Sequence, residues 1–201
     1  MKYVTVYASS SNSVVEKYGK RCEELGEMLV ENGYGLVFGG SNVGLMNSIA
    51  IAMKRHKGKI VSVIPDFFKD QGLGFQDSDE MIVTKTMQKR MEIMMQRGDA
   101  FIALPGGFGT LEEITEVLTQ RYLKKHKNPI LLMNYDGFYD PLMEFFEHII
   151  SEKLASALIK KLYKTATNNQ QAIDYLETYE PFDWDGKWLS TNSYDWKKAL
   201  K

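Results

Sequence analysis

Along residues 1–178, short apolar blocks alternate with longer stretches in which apolar residues recur every three or four positions. The pattern predicts strands over 3–7, 35–38, 60–64, 81–84, 100–104, 130–133 and 162–165. Between them it predicts helices over 14–31, 45–56, 87–97, 110–125 and 138–150, with a last one over 170–178. Punctuation agrees with periodicity: Asn32-Gly33, Gly58 and Gly98 stop helices, and Pro65 ends a strand. Repeated βα units with short connections predict one Rossmann-like α/β domain, a three-layer sandwich with a mainly parallel sheet and helices on both faces. In such sheets ligands bind beyond the carboxyl ends of the strands, which selects residues 8–13, 39–44 and 105–110. Residues 179–201 carry Trp184, Trp188 and Trp196 and fit no βα unit; this tail is expected to pack on the domain or on a partner.

A chain of 201 residues suffices for one sizeable core. Its net charge of −1, with no basic stripe, argues against nucleic acid or an anionic membrane as partner. No signal-peptide pattern opens the chain, and no apolar run approaches a membrane span of ~18 residues. The single cysteine, Cys22, permits no intrachain disulfide and suits a reducing cytoplasm. His56, His126 and His148 are isolated from one another and from any ligand cluster, so neither a metal nor a cofactor is expected.

The densest chemistry lies in Pro105-Gly106-Gly107-Phe108-Gly109-Thr110, between a buried strand and a helix. Glycines let the backbone come close to a ligand, and a helix start offers unpaired N–H groups and a positive dipole end, a natural seat for phosphate. Gly39-Gly40-Ser41-Asn42-Val43-Gly44 repeats the arrangement after an earlier strand, so both turns are expected to face one crevice. Neither is a dinucleotide fingerprint or a P-loop, and a phosphate monoester fits them better. Thr110-x-x-Glu113 has the spacing of a capping box, and Glu113 is equally placed to meet a sugar beside the phosphate. Met87, Met91, Met94 and Met95 share one helix face, read as core or subunit contact, with Arg90 and Arg97 at its edge. By itself Arg90 reads as a solvated flank.

Together these segments resemble the LOG ("Lonely Guy") family, the cytokinin riboside 5′-monophosphate phosphoribohydrolases often labelled lysine decarboxylases. The signature Pro-Gly-Gly-x-Gly-Thr-x-x-Glu is complete over residues 105–113, and Arg90 matches the family's arginine upstream. Val37-Phe38-Gly39-Gly40 with Gly44-Leu45-Met46 resembles its glycine-rich turn, and Tyr7-Ala8-Ser9-Ser10 its first strand end. Met91 stands where the family usually has Lys, while Ser41 and Asn47 stand at two usual glycine positions. The resemblance implies cleavage of a nucleoside 5′-monophosphate, AMP or prenylated AMP, into base and ribose 5-phosphate. It implies catalytic roles for Arg90 and Glu113, nucleotide contacts from Ser9, Gly39, Gly40, Gly44, Met46, Gly106, Gly107, Gly109 and Thr110, and a homodimer. A non-hydrolytic nucleotide-binding or carrier protein of the same fold is the alternative. A pyridoxal-phosphate decarboxylase is disfavoured, since the chain is too short for that fold.

Overall fold

The computed structural model describes residues 1–183, so Trp184, Trp188 and Trp196 of the predicted tail lie outside the described residues. The strands are Lys2–Tyr7 (β1), Tyr34–Phe38 (β2), Ile60–Pro65 (β3), Glu80–Thr84 (β4), Ala100–Ala103 (β5), Ile130–Met133 (β6) and Lys164–Ala166 (β7). The α-helices are Val15–Glu31 (α1), Gly44–Arg55 (α2), Asp66–Lys69 (α3), Met87–Arg97 (α4), Phe108–Tyr122 (α5), Asp140–Ser151 (α6) and Asn169–Thr178 (α7). Each predicted strand and helix is present, with ends displaced by at most three residues. The single turn α3 follows Pro65, where no element is predicted.

All seven strands join one sheet in the order β4-β3-β2-β1-β5-β6-β7. Every pairing is parallel; Val4 of β1 lies opposite Leu36 of β2 on one side and Ala100 of β5 on the other. Strand alternation divides the interior in two. Val4, Val6, Leu36 and Phe38 pack with Leu25, Leu29, Ile49 and Met53 of α1 and α2, and with Ala172 and Ile173 of α7. Tyr7, Val37, Val63, Phe101 and Leu132 pack on the opposite face with Met94 of α4 and Ile114 and Val117 of α5. Complete burial of such side chains stabilises by about 1.5–3 kcal/mol each. Gly26 lets α1 and α2 touch, because an added Cβ would lie 3.0 Å from the Ile49 carbonyl oxygen and 3.1 Å from Ala52 Cβ.

The chain first winds outward from β1 to β4, then returns through α4 to place β5 on the other side of β1. Right-handed crossovers require the helices to change face when the winding reverses. That reversal opens a crevice between the carboxyl ends of β1 and β5, the switch point at which ligands bind in open parallel sheets.

The last described residues lie against the domain. Arg121 donates to the Phe182 carbonyl at 2.6 Å, and Lys127 pairs with Asp183 at 2.8 Å. Among the described residues no helix is long and apolar enough to cross a membrane.

Candidate active site at the β1–β5 crevice

A cavity of about 510 Å³ lies at this switch point. Its walls come from the loop after β1 (Ser9–Ser11), the turn after β2 (Gly39, Ser41, Val43), α4 (Met87, Arg90) and the start of α5. Of the predicted site residues, Ser9, Gly39, Met46, Arg90, Gly107, Gly109, Thr110 and Glu113 line it. Gly40, Gly44 and Gly106 stand behind the wall, where their missing side chains serve packing. A Cβ at Gly40 would meet Ile64 Cβ at 2.9 Å, one at Gly44 would meet the Ser9 carbonyl oxygen at 2.5 Å, and one at Gly106 would collide with the Thr110 side chain. Gly40 and Gly44 also have positive φ, +75° and +62°, a region costly for other residues.

The two glycine-rich turns present different chemistry. At α2 the first N–H groups already have protein partners: Gly44 N–H donates to Asn12 Oδ1 at 2.9 Å and Leu45 N–H to the Ser9 carbonyl at 2.9 Å. At α5 the cap is Gly107, which has no side chain to accept from the helix, and the opening residues Gly107, Phe108, Gly109 and Thr110 line the cavity at the positive end of the dipole. Added Cβ atoms at Gly107 and Gly109 would meet nothing within 4 Å. Of the two turns, the one at α5 is therefore the one with donors left to offer an anion.

The helix starts at Phe108, two residues before Thr110, which corrects the capping-box reading. Thr110 lies inside the first turn, buried, and Glu113 lies a turn further in, facing the sheet. Its partner is Arg90. Thr86 caps α4 by accepting the Lys89 N–H at 3.1 Å, and this register turns Arg90 inward with Met94. The solvated-flank reading of Arg90 is thereby corrected: it is 7% exposed, as is Glu113. Arg90 Nε donates to the Val63 carbonyl at 3.1 Å, and Nη1 donates to Glu113 Oε1 at 2.5 Å. Gly39 makes room for it, because a Cβ there would overlap the guanidinium and lie 3.0 Å from Met46 Sδ. Burial pushes the Glu113 carboxyl above its ordinary range, and the Arg90 charge opposes that shift. A buried ion pair is weak evidence for stability, since desolvation offsets its attraction. One on the wall of a cavity is a functional candidate.

The methionine stripe divides: Met94 is in the core, Met91 and Met95 are half-buried, and Met87 stands exposed at the cavity mouth. Two features escaped the sequence reading. One is α3, which brings Phe68 to the mouth; its signal was Pro65-Asp66, an extended proline followed by an acidic first turn. The other is Tyr7, fully buried beside the ion pair, where strand alternation alone suggests an ordinary core residue.

The family model described as "Possible lysine decarboxylase" matches residues 46–176. The cytokinin riboside 5′-monophosphate phosphoribohydrolase LOG7 of Arabidopsis thaliana is 34% identical over 180 residues, 90% of this chain and 83% of its own. The rice enzyme LOG, from Oryza sativa subsp. japonica, is 35% identical over 178 residues, 89% of this chain and 74% of its own. Among solved structures, the molybdenum cofactor carrier protein of Chlamydomonas reinhardtii superposes with a TM-score of 0.68. It is 19% identical and covers 88% of this chain and 96% of that one, a likeness of fold alone.

Proposed function

This chain belongs to the LOG family of cytokinin riboside 5′-monophosphate phosphoribohydrolases, and from that membership we propose that it is an enzyme hydrolysing a nucleoside 5′-monophosphate, AMP or a prenylated AMP. Water adds to C1′ of the ribose, the bond from C1′ to the base breaks, and the base leaves with a proton, giving free base and ribose 5-phosphate. The observation that carries the reading is the buried Arg90–Glu113 pair on the cavity wall beside the open start of α5. A phosphate carrier needs the helix start and has no need of the pair.

The 5′-phosphate sits on the N–H groups at Gly107, Gly109 and Thr110, with Ser9 on the facing wall. A helix start contributes about 0.3–1 kcal/mol to such an anion, and up to ~2 when partly buried. The base lies toward Met46, Phe68, Leu73 and Met87, whose side chains supply an apolar wall. As the glycosidic bond lengthens, positive charge develops on the sugar, and the Glu113 carboxylate faces it in a site with little water. Arg90 offers its planar fork to ribose or phosphate oxygens. The assembly we propose is a homodimer. Exposed Phe108, Phe68 and Met87 around the mouth support it, and sedimentation velocity checks it.

The test is chromatography of products after incubating the protein with AMP, prenylated AMP, GMP and CMP. Free base and ribose 5-phosphate are expected. Glu113→Gln should fold and still bind AMP, but turn over about 10²–10³ times more slowly. Nucleotide recovered bound and intact from the wild type would replace the hydrolase with a carrier.

A further inference from the structure

Tyr7 is 1% exposed, and its hydroxyl has no hydrogen-bond partner among the described residues. Leaving a buried hydroxyl unpaired is destabilising, so a phenylalanine would serve the core better. The ring itself is well seated, stacked on Phe101 at 6.5 Å with 6° between planes. Strand register sets its neighbours. Val6 of β1 lies opposite Phe38 of β2, so one step further Tyr7 adjoins Gly39, the position whose missing side chain admits the Arg90 guanidinium. Tyr7 shares its side of the sheet with Val63, whose carbonyl holds Arg90, and with Ile114, the residue after Glu113. The charges of Glu113 and Arg90 both reach the phenol. Burial first, and the Glu113 charge second, push its pKa well up, so it stays protonated and can act as a donor.

Building on the proposed hydrolase reading, we propose that Tyr7 is a positioning residue whose hydroxyl donates to the Glu113 carboxylate when Arg90 turns toward the substrate. In the free protein Arg90 holds Oε1 of Glu113. A guanidinium that moves to ribose or phosphate oxygens leaves that carboxylate buried without its donor, at the stage when its charge is needed. The Tyr7 hydroxyl supplies the replacement, which keeps Glu113 ionised and aimed at C1′. A donor held in reserve explains why an unpaired hydroxyl is retained.

Tyr7→Phe removes one oxygen and keeps the stacked ring. We expect a melting temperature equal to or above wild type, kcat reduced at least ~10-fold and KM within about threefold. Loss of a donor to the charged form raises the Glu113 pKa in the substrate complex, so the acidic limb of the kcat profile, which reports that complex, should move to higher pH. In a Glu113→Gln background the same change should alter kcat by less than about twofold, because Tyr7 acts through Glu113. The Glu113 carboxyl is also to be titrated by 13C NMR with ribose 5-phosphate bound, and its midpoint should be higher in Tyr7→Phe. That titration needs no turnover. A wild type that releases no base removes the hydrolase reading, and the midpoints still decide the role of Tyr7. A Tyr7→Phe protein that is merely more stable, with unchanged kcat, pH profile and midpoint, overturns the proposal.

Discussion

The turn after β2 and the turn after β5 are near copies as text, each a run of glycines between an apolar strand and a helix. In space they do opposite work. The first turn uses its glycines inwardly: Gly39 admits Arg90, Gly40 packs on β3, and Gly44 lets the chain pass Ser9 and Ser10. Its helix start is satisfied by Asn12 and Ser9. At the second turn, Gly106 serves Thr110, while Gly107 and Gly109 face open space at a helix start without a side-chain cap. A glycine cluster thus marks close approach of backbone to something. Whether that is a ligand or the protein itself depends on where the first helical N–H groups go.

Substitutions that add one methyl group can break this contrast. Gly39→Ala should have the largest kinetic effect, because its Cβ occupies the place of the Arg90 guanidinium. We expect kcat/KM to fall about 10²–10³-fold, as for loss of a preorganised electrostatic contact, while inorganic phosphate still raises the melting temperature. Gly109→Ala should act on binding alone. Its Cβ meets no protein atom and favours the helix by roughly 0.5–1 kcal/mol, but it stands where the phosphate is proposed to sit. KM should rise about tenfold with kcat nearly unchanged, as steady-state assays of a protein at least as heat-resistant as wild type. Gly44→Ala should have the smallest effect on turnover and the largest on folding. At φ +62°, with Ser9 and Ser10 atoms 2.5 Å from the new Cβ, it should lose about 1–3 kcal/mol in urea unfolding. The kcat of its folded fraction should stay within about twofold of wild type, since α2 offers the phosphate nothing. A Gly44→Ala enzyme that loses phosphate binding would make the two turns equivalent after all.

The layered fold was legible because apolar alternation and helical periodicity are each dictated by burial on a sheet face. β6 and α4 were read to the residue, Ile130–Met133 and Met87–Arg97. Misreadings occurred where local chemistry competes with tertiary contacts. Thr110 and Glu113 satisfy capping-box spacing, but extended Gly107 starts the helix earlier and rotates both side chains inward. Arg90 borders a methionine stripe and looks like a wet flank. Only the gap at Gly39 and the carboxylate of Glu113, more than twenty residues away in either direction, make an inward arginine tolerable. No periodicity carries that information. Tyr7 was hidden for a simpler reason, since an aromatic residue is expected in a buried strand whether or not its hydroxyl has a use.

The reversal of winding at β1 also bears on how the molecule comes to be folded. β1 meets β2 across one helix, but it meets β5 only after nearly half the chain has been placed; the Tyr3–Asp99 hydrogen bond there spans 96 residues. Closing so long a loop is entropically costly and is repaid late. The cavity lies on that seam, with the residues that follow β1 on one wall and the α5 turn on another. An intermediate holding only β1 to β4 has a sheet and half a core, but no place for a nucleotide. Ligand added during refolding can therefore stabilise only molecules that have closed the seam, and nucleotide binding reports completion of the fold rather than its beginning.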